Sequence, residues 1–252
     1  RRPRPGPARH GQRRRRRRAI ASPKLSAIVR AADGVDVFAS GGLGFHSNDA
    51  RAAVAVAGRG ALARAWGGEA GVEVAPAPGL RGSIDAWYLY LTSEQVWSGD
   101  AGGTEPSDPT RRYGLGVEAA FDVTSHVSLD ANVAVGRATV VANAGNGGAL
   151  ALAPRLMGGG GVSYHDDRNA ASLRVRGIGE RPANDDGSLK AEGFLLVDAI
   201  VSRRIGPTEV SLTIENVTNA AWREAQFAEE SRVSPTDELR ALGKVAGDGA
   251  AA

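Results

Sequence analysis

The chain has 252 residues, with 34 Gly, no Cys and only 5% aromatics, so neither a disulfide framework nor a thiolate metal site is available to it. Its formal charge of +3 is concentrated at one end: residues 1–18 hold ten Arg and no acid, leaving 21 basic against 28 acidic residues, a charge of −7, elsewhere. No apolar run reaches the roughly 18 residues of a membrane-spanning helix. The first segment, 1–23, contains RRPRPGPARHGQRRRRRR, which has nothing to bury and is expected to be a disordered Arg-rich tail. A basic arm for nucleic acid would have the same charge. No aromatics interleave with the arginines and no nucleic-acid fold motif follows, which speaks against nucleic acid as a partner.

From Lys24 onward, period-two alternation predicts strands at 24–30, 35–45, 62–74, 80–97, 111–122, 126–140, 155–165, 169–179, 192–204 and 208–218. In the sixth, Val127, Leu129, Ala131, Val133 and Val135 share one face while Ser128, Asp130 and Asn132 share the other. Short connections (31–34, 75–79, 123–125, 166–168, 205–207) alternate with long polar ones (46–61, 98–110, 141–154, 180–191). In an antiparallel up-and-down meander this puts every tight turn at one end and every long loop at the other. Many of these strands have ten or more residues, whereas a strand tilted across a bilayer needs about 9–11 and a soluble one about five or six. The expected fold is all-β: an antiparallel up-and-down transmembrane β-barrel, with polar residues inside and apolar residues outside. Phe45, Trp97, Tyr113, Phe121, Tyr164 and Phe194, near strand ends, are expected to form its interface girdles. A soluble sandwich or jelly roll has the same alternation and stays open as an alternative. The last segment, 231–252, is expected to be a short helix or a disordered tail; SPTDELRALGK (234–244) carries the helix signals, with Ser234 as N-cap, Pro235 at the first helical position, Asp237 and Glu238 in the first turn and Gly243 as the stop.

Three stretches together carry a resemblance. VDVFASGGLGFHSNDAR (35–51), the region 63–121 with its Glu-Xaa-Gly strand and APAPGL turn, and SLTIENVTNAAWREAQF (211–227) with Asn216-Val217-Thr218-Asn219 resemble strands of TonB-dependent outer-membrane receptors, over about residues 24–230. The resemblance implies part of a plugged barrel of about 22 strands. It implies a place in the outer membrane among its lipids, and import of scarce nutrients such as ferric siderophores or vitamin B12. It also implies energy supplied by the TonB complex through a plug domain. No plug domain, TonB-contacting motif or closing strand with a terminal aromatic is read here, so the expectation is a fragment: about ten strands of a larger, incomplete barrel.

No catalytic, metal-ligating or cofactor-binding residue is expected, because no G-x-S-x-G, H-E-x-x-H, Walker or Rossmann pattern occurs. His46 near Asp49 suits contact with a metal chelate or a plain polar loop; His165 beside Asp166 and Asp167 suits a tight turn. The Gly run in MGGGGV (157–162) lies in strand alternation and lacks the spacing of a phosphate loop. Glu69, Glu118, Arg174 and Arg176 are expected to face the lumen as ladder pairs, since charges facing lipid are costly. Ligand contacts are expected from the long loops: Phe45, His46, Asn48, Asp49, Arg51, Trp97 and Asp100. Two other functions stay open: a soluble β-protein using the basic arm, and a small outer-membrane barrel enzyme, which needs acid and base groups clustered among the loops.

Overall fold

A computed structural model describes residues 21–47, 62–93, 95–98, 103–106, 108–141, 148–184, 187–231 and 240–248. Every element in it is a strand: β1 (Lys24–Ala32), β2 (Val35–Ser47), β3 (Leu62–Ala77), β4 (Leu80–Leu91), β5 (Gln95–Ser98), β6 (Gly103–Pro106), β7 (Thr110–Asp122), β8 (Val127–Val140), β9 (Leu156–His165), β10 (Asn169–Ile178), β11 (Arg181–Pro182), β12 (Lys190–Ala191), β13 (Phe194–Ile205), β14 (Thr208–Ile214), β15 (Arg223–Ser231) and β16 (Arg240–Asp248). Ten of them form one antiparallel sheet in the order β1-β2-β3-β4-β7-β8-β9-β10-β13-β14, and each of the ten falls on a strand expected from the sequence. The short turns and long connections do alternate along this meander. At the first turn Gly34 has φ of 70°, and a Cβ there would stand 2.6 Å from the Ala75 carbonyl oxygen, so the position needs glycine twice over.

The register sorts side chains onto two faces, because directly paired residues project the same way. One row runs Val37, Val72, Ile84, Val117 and Val133 across five strands; the row beside it runs Asp36, Glu73, Ser83, Glu118 and Asn132. Nothing covers the apolar row among the described residues: Val37 is 42% exposed, Ile84 52%, Val117 46% and Val133 47%. A sandwich would bury that face under a second sheet. The only buried apolar residues described are Ala63, Leu91, Ala149, Leu150, Ala191 and Leu196. A row of exposed valines bounded by polar ends is a surface made for lipid.

Aromatics mark the edges of this face. Phe45, Trp66, Tyr90 and Tyr113 stand toward the long loops, and Phe121 and Tyr164 toward the short turns. Trp66 packs against Tyr88 at 5.0 Å and Tyr90 at 5.6 Å. From Arg111 to Phe121 the strand rises roughly 34 Å, which at a tilt of about 40° spans about 25 Å, the height of a barrel's apolar band.

Four expectations are corrected. Phe194 pairs with Ile178 and falls on the polar face, not in a girdle. The expected strand 80–97 stops at Leu91, where Thr92 ties back to β3 instead: its N–H donates to the Arg64 carbonyl at 2.9 Å and its Oγ1 accepts from the Arg64 N–H at 3.0 Å. Residues 95–98 then pair with 103–106 in a hairpin of their own. The expected strand 208–218 ends at Ile214, because Asn216 and Asn219 take φ of 51° and 49° and turn the chain. The expected helix at 234–244 is overturned over 240–244, which belong to β16 paired with β15; residues 232–239 lie outside the described residues. A helix of three turns is marginal without packing, whereas a strand partner satisfies its backbone at once.

Candidate functional site

The polar face of the sheet is laced by pairs that reach across strands. Arg174 on β10 spans β9 to Asp130 on β8, making two hydrogen bonds of 2.6 and 2.7 Å. The strand between presents Gly161, where a Cβ would stand 3.3 Å from the Arg174 Nη1. The glycine run thus leaves room for an arginine to lie flat over the wall. Arg176 meets Asp198 at 3.2 Å, Arg30 meets Asp36 at 3.1 Å, and Ser40 Oγ donates to Glu69 at 3.0 Å. The Arg174 and Asp130 side chains are 42% and 38% exposed, so the pair contributes only about 0.2–1 kcal/mol. Its two-pronged geometry fixes orientation more than stability.

The hollows lined by described residues include two toward opposite ends of the sheet. One, of about 500 Å³, lies toward the short turns and is lined by Arg30, Asp36, Glu73, Arg81, Glu118 and Asn132 among others. The second, of about 460 Å³, lies toward the long connections and is lined by Glu192, Asn219, Trp222, Arg223 and Gln226. Asn216 builds it: its Oδ1 accepts from the Ala220 N–H at 2.9 Å and its Nδ2 donates to the Ala220 carbonyl at 3.0 Å. That tight loop sets Trp222 against Phe194 at 5.2 Å, with the Arg176 guanidinium 5.9 Å from the indole centroid. Sequence reasoning missed Phe194, Trp222 and Gln226 as a group. The Asn-Val-Thr-Asn segment was their only signal.

Of the loop residues expected to touch ligand, Phe45 alone has a described side chain. Phe45 stands on the apolar face, 49% exposed, and belongs with the girdle. His46 pairs with Ala63 at the last turn of β2, and Trp97 lies in β5, but the side chains of both fall outside the described residues. Asn48, Asp49, Arg51 and Asp100 lie outside them entirely. The Arg-rich tail up to residue 20 does too. No group of three His, Cys, Asp or Glu suited to a metal occurs among the described residues.

Asp166 caps its turn and has little acceptor capacity left for a metal. Its Oδ1 accepts from the backbone N–H groups of Arg168 and Asn169, both at 2.7 Å, and its Oδ2 from the Tyr164 hydroxyl at 2.8 Å. The Asn169 side chain, then these donors, hold the carboxyl well below the usual carboxylate range. A depressed folded pKa means its stabilisation is complete above the unfolded value, about 3.9, and fades as pH falls below it. The turn is therefore expected to keep its amide protection from pH 7 down to about 4 and lose it in stronger acid, and Asp166→Ala is expected to abolish that dependence in hydrogen exchange.

This geometry is shared with known proteins. The family described as TonB-dependent receptor-like, β-barrel matches residues 3–220. The chain belongs to the TonB-dependent receptor family. The matched region begins inside the Arg-rich stretch and ends within the Asn216–Ala220 loop. Among solved structures, this receptor barrel resembles a ferric citrate transporter in its unliganded form at 18% identity and a TM-score of 0.59, over 88% of this chain and 36% of the other. It resembles the ferric yersiniabactin uptake receptor of Yersinia pestis at 17% identity and a TM-score of 0.63, over 88% and 35%. It also resembles a copper transporter at 16% identity and a TM-score of 0.64, over 81% and 34%. At these identities the likeness is one of fold. This receptor chain spans about a third of the length of the solved receptors it matches. No curated protein matches its sequence. The family is one of outer-membrane receptors, and the exposed valine rows are this chain's lipid-facing wall.

Proposed function

We propose that this chain builds ten consecutive strands of the wall of an outer-membrane importer whose cargo is a metal chelate. The observation that carries the reading is the sheet itself: a ten-strand meander with one face of exposed valines and the other laced by ion pairs. Among the described residues β1 and β14 each have one hydrogen-bonded neighbour, and in this reading further strands complete the ladder at both edges. The polar face then lines a lumen, where a plug domain acted on by TonB sits against the Arg174–Asp130 pair and its neighbours. The chelate enters from the long-loop end, where His46, Asn48, Asp49, Arg51, Trp97 and Asp100 are the sequence's candidates and Trp222 with Arg176 the structure's. Ferric citrate, ferric yersiniabactin and copper are handled by the solved neighbours, which favours a chelated metal as cargo. The reading is of transport and not catalysis, in keeping with a family of receptors.

The test is uptake of radiolabelled ferric citrate and of a panel of ferric siderophores by source cells grown short of iron, with and without the gene. Loss of uptake of one chelate on deletion, restored by the gene, is the expected result. Unchanged uptake of every chelate in the panel overturns the cargo assignment.

A further inference from the structure

Two of the chain's four histidines meet at the short-turn rim of the sheet. His126 leads into β8 and His165 ends β9. The register that pairs Val127 with Tyr164 sets them opposite each other, and the His165 N–H donates to the His126 carbonyl at 2.9 Å. Two residues inward on each strand, Ser128 pairs with Ser163, so the histidines belong to the polar face. Opposed residues hold their Cβ atoms about 4.5–5.5 Å apart and project to the same side. The two imidazole centroids stand 6.5 Å apart. With metal–nitrogen bonds of about 2.0–2.1 Å, two imidazoles on one ion hold their ring centres roughly 5–6.5 Å apart. The pair already stands at the upper end of that range, and both side chains are exposed and have room to close on an ion.

The neighbours of the pair suit a cation. Ser125 Oγ lies 2.9 Å from His126 Nδ1, and the Tyr164 ring stacks on the His126 ring with centroids 6.3 Å apart. With an ion on Nε2, His126 Nδ1 keeps its proton and donates it to the Ser125 hydroxyl, the outer bond that orients a metal-ligating histidine. The His165 ring has no hydrogen-bond partner among the described residues, so its nitrogens are open. The turn beyond it, Asp166-Asp167-Arg168, carries a net negative charge. Asp166 itself is engaged by the turn, which leaves the two imidazoles as the protein ligands and the other positions to water. Imidazole suits copper, zinc and nickel, and copper(II) binds such donors most tightly.

We propose that His126 and His165 form a two-imidazole site for a divalent transition-metal ion, with copper(II) its tightest occupant, at the short-turn rim of the polar face. The pair stands on the turn geometry alone. The short turns of an outer-membrane barrel are periplasmic, so in the importer reading the site lies where a cargo metal leaves the lumen. That location, and not the pair, rests on the outer-membrane reading.

The test uses the full chain with its other two histidines, His10 and His46, replaced by Gln, folded into phosphatidylcholine vesicles and titrated with copper(II). Pulsed electron paramagnetic resonance counts the imidazole nitrogens on the bound ion. Two imidazoles on one copper are the expected result. Ser125→Ala is expected to keep both imidazoles and weaken binding about tenfold; His126→Gln and His165→Gln are each expected to leave one imidazole and to weaken binding at least as much. Hydrogen exchange of the Asn169 amide, held by Asp166, is expected to be unchanged in these variants, which separates loss of a ligand from loss of the turn. A single imidazole per copper in the parent, or equal affinity in parent and His165→Gln, overturns the site. Flotation of the vesicles reads the barrel wall separately: two imidazoles on one copper in a chain that does not float uphold the pair and overturn its place in an outer-membrane lumen.

Discussion

Val117→Arg is expected to destabilise the membrane-inserted chain by about 2–4 kcal/mol, the cost of an arginine at the middle of a lipid-facing wall. Val117 sits mid-strand in β7, 46% exposed, in the row with Ile84 and Val133. Its neighbour Glu118 projects to the polar face and lines the hollow toward the short turns. Glu118→Gln is therefore expected to change stability by no more than about 0.5 kcal/mol. Urea titration of the full chain in lipid vesicles measures both. Equal losses at the two positions would mean that the register does not divide a lipid face from a lumen face.

Gly161→Val is expected to cost about 1–3 kcal/mol in the same titration, as overpacking commonly does. A Cβ at this position meets the Leu173 carbonyl oxygen at 2.6 Å and Arg174 Cα at 3.3 Å, so backbone must move. The larger side chain also takes the space through which Arg174 reaches Asp130. A double-mutant cycle of Asp130→Asn and Arg174→Gln is expected to show a coupling of about 0.2–1 kcal/mol in the parent and none in the Gly161→Val background. A coupling that survives the substitution would show that the arginine has another route to Asp130.

Periodicity is a local property, and what depends on it was legible along the chain. Alternating residues marked the ten strands of the sheet, and Gly-, Pro- and Asp-bearing segments marked its short turns, because each follows from backbone geometry over a few residues. The lipid-facing assignment of β8 was legible for the same reason: its apolar and polar residues separate cleanly. β13 shows where that stops. Phe194, Leu196 and Ile200 share a face with Asp198, while Leu195, Val197 and Val201 share one with Arg203, so composition does not settle which faces lipid. Pairing with β10 settles it, and puts Phe194 beside Trp222 on the polar side.

The candidate site was less legible than the fold. Asp130 and Arg174 are 44 residues apart, and the glycine between them in space gives no hint in the sequence that it is spanned. The helix expected at 234–244 rested on sound capping signals, yet residues 240–244 pair with β15, a partner no local window contains. Strand identity, turn position and family came from residue order alone. The ion pairs and the hollows came from register, because hydrogen-bond pairing between distant strands is what turns a two-residue period into neighbours across a face.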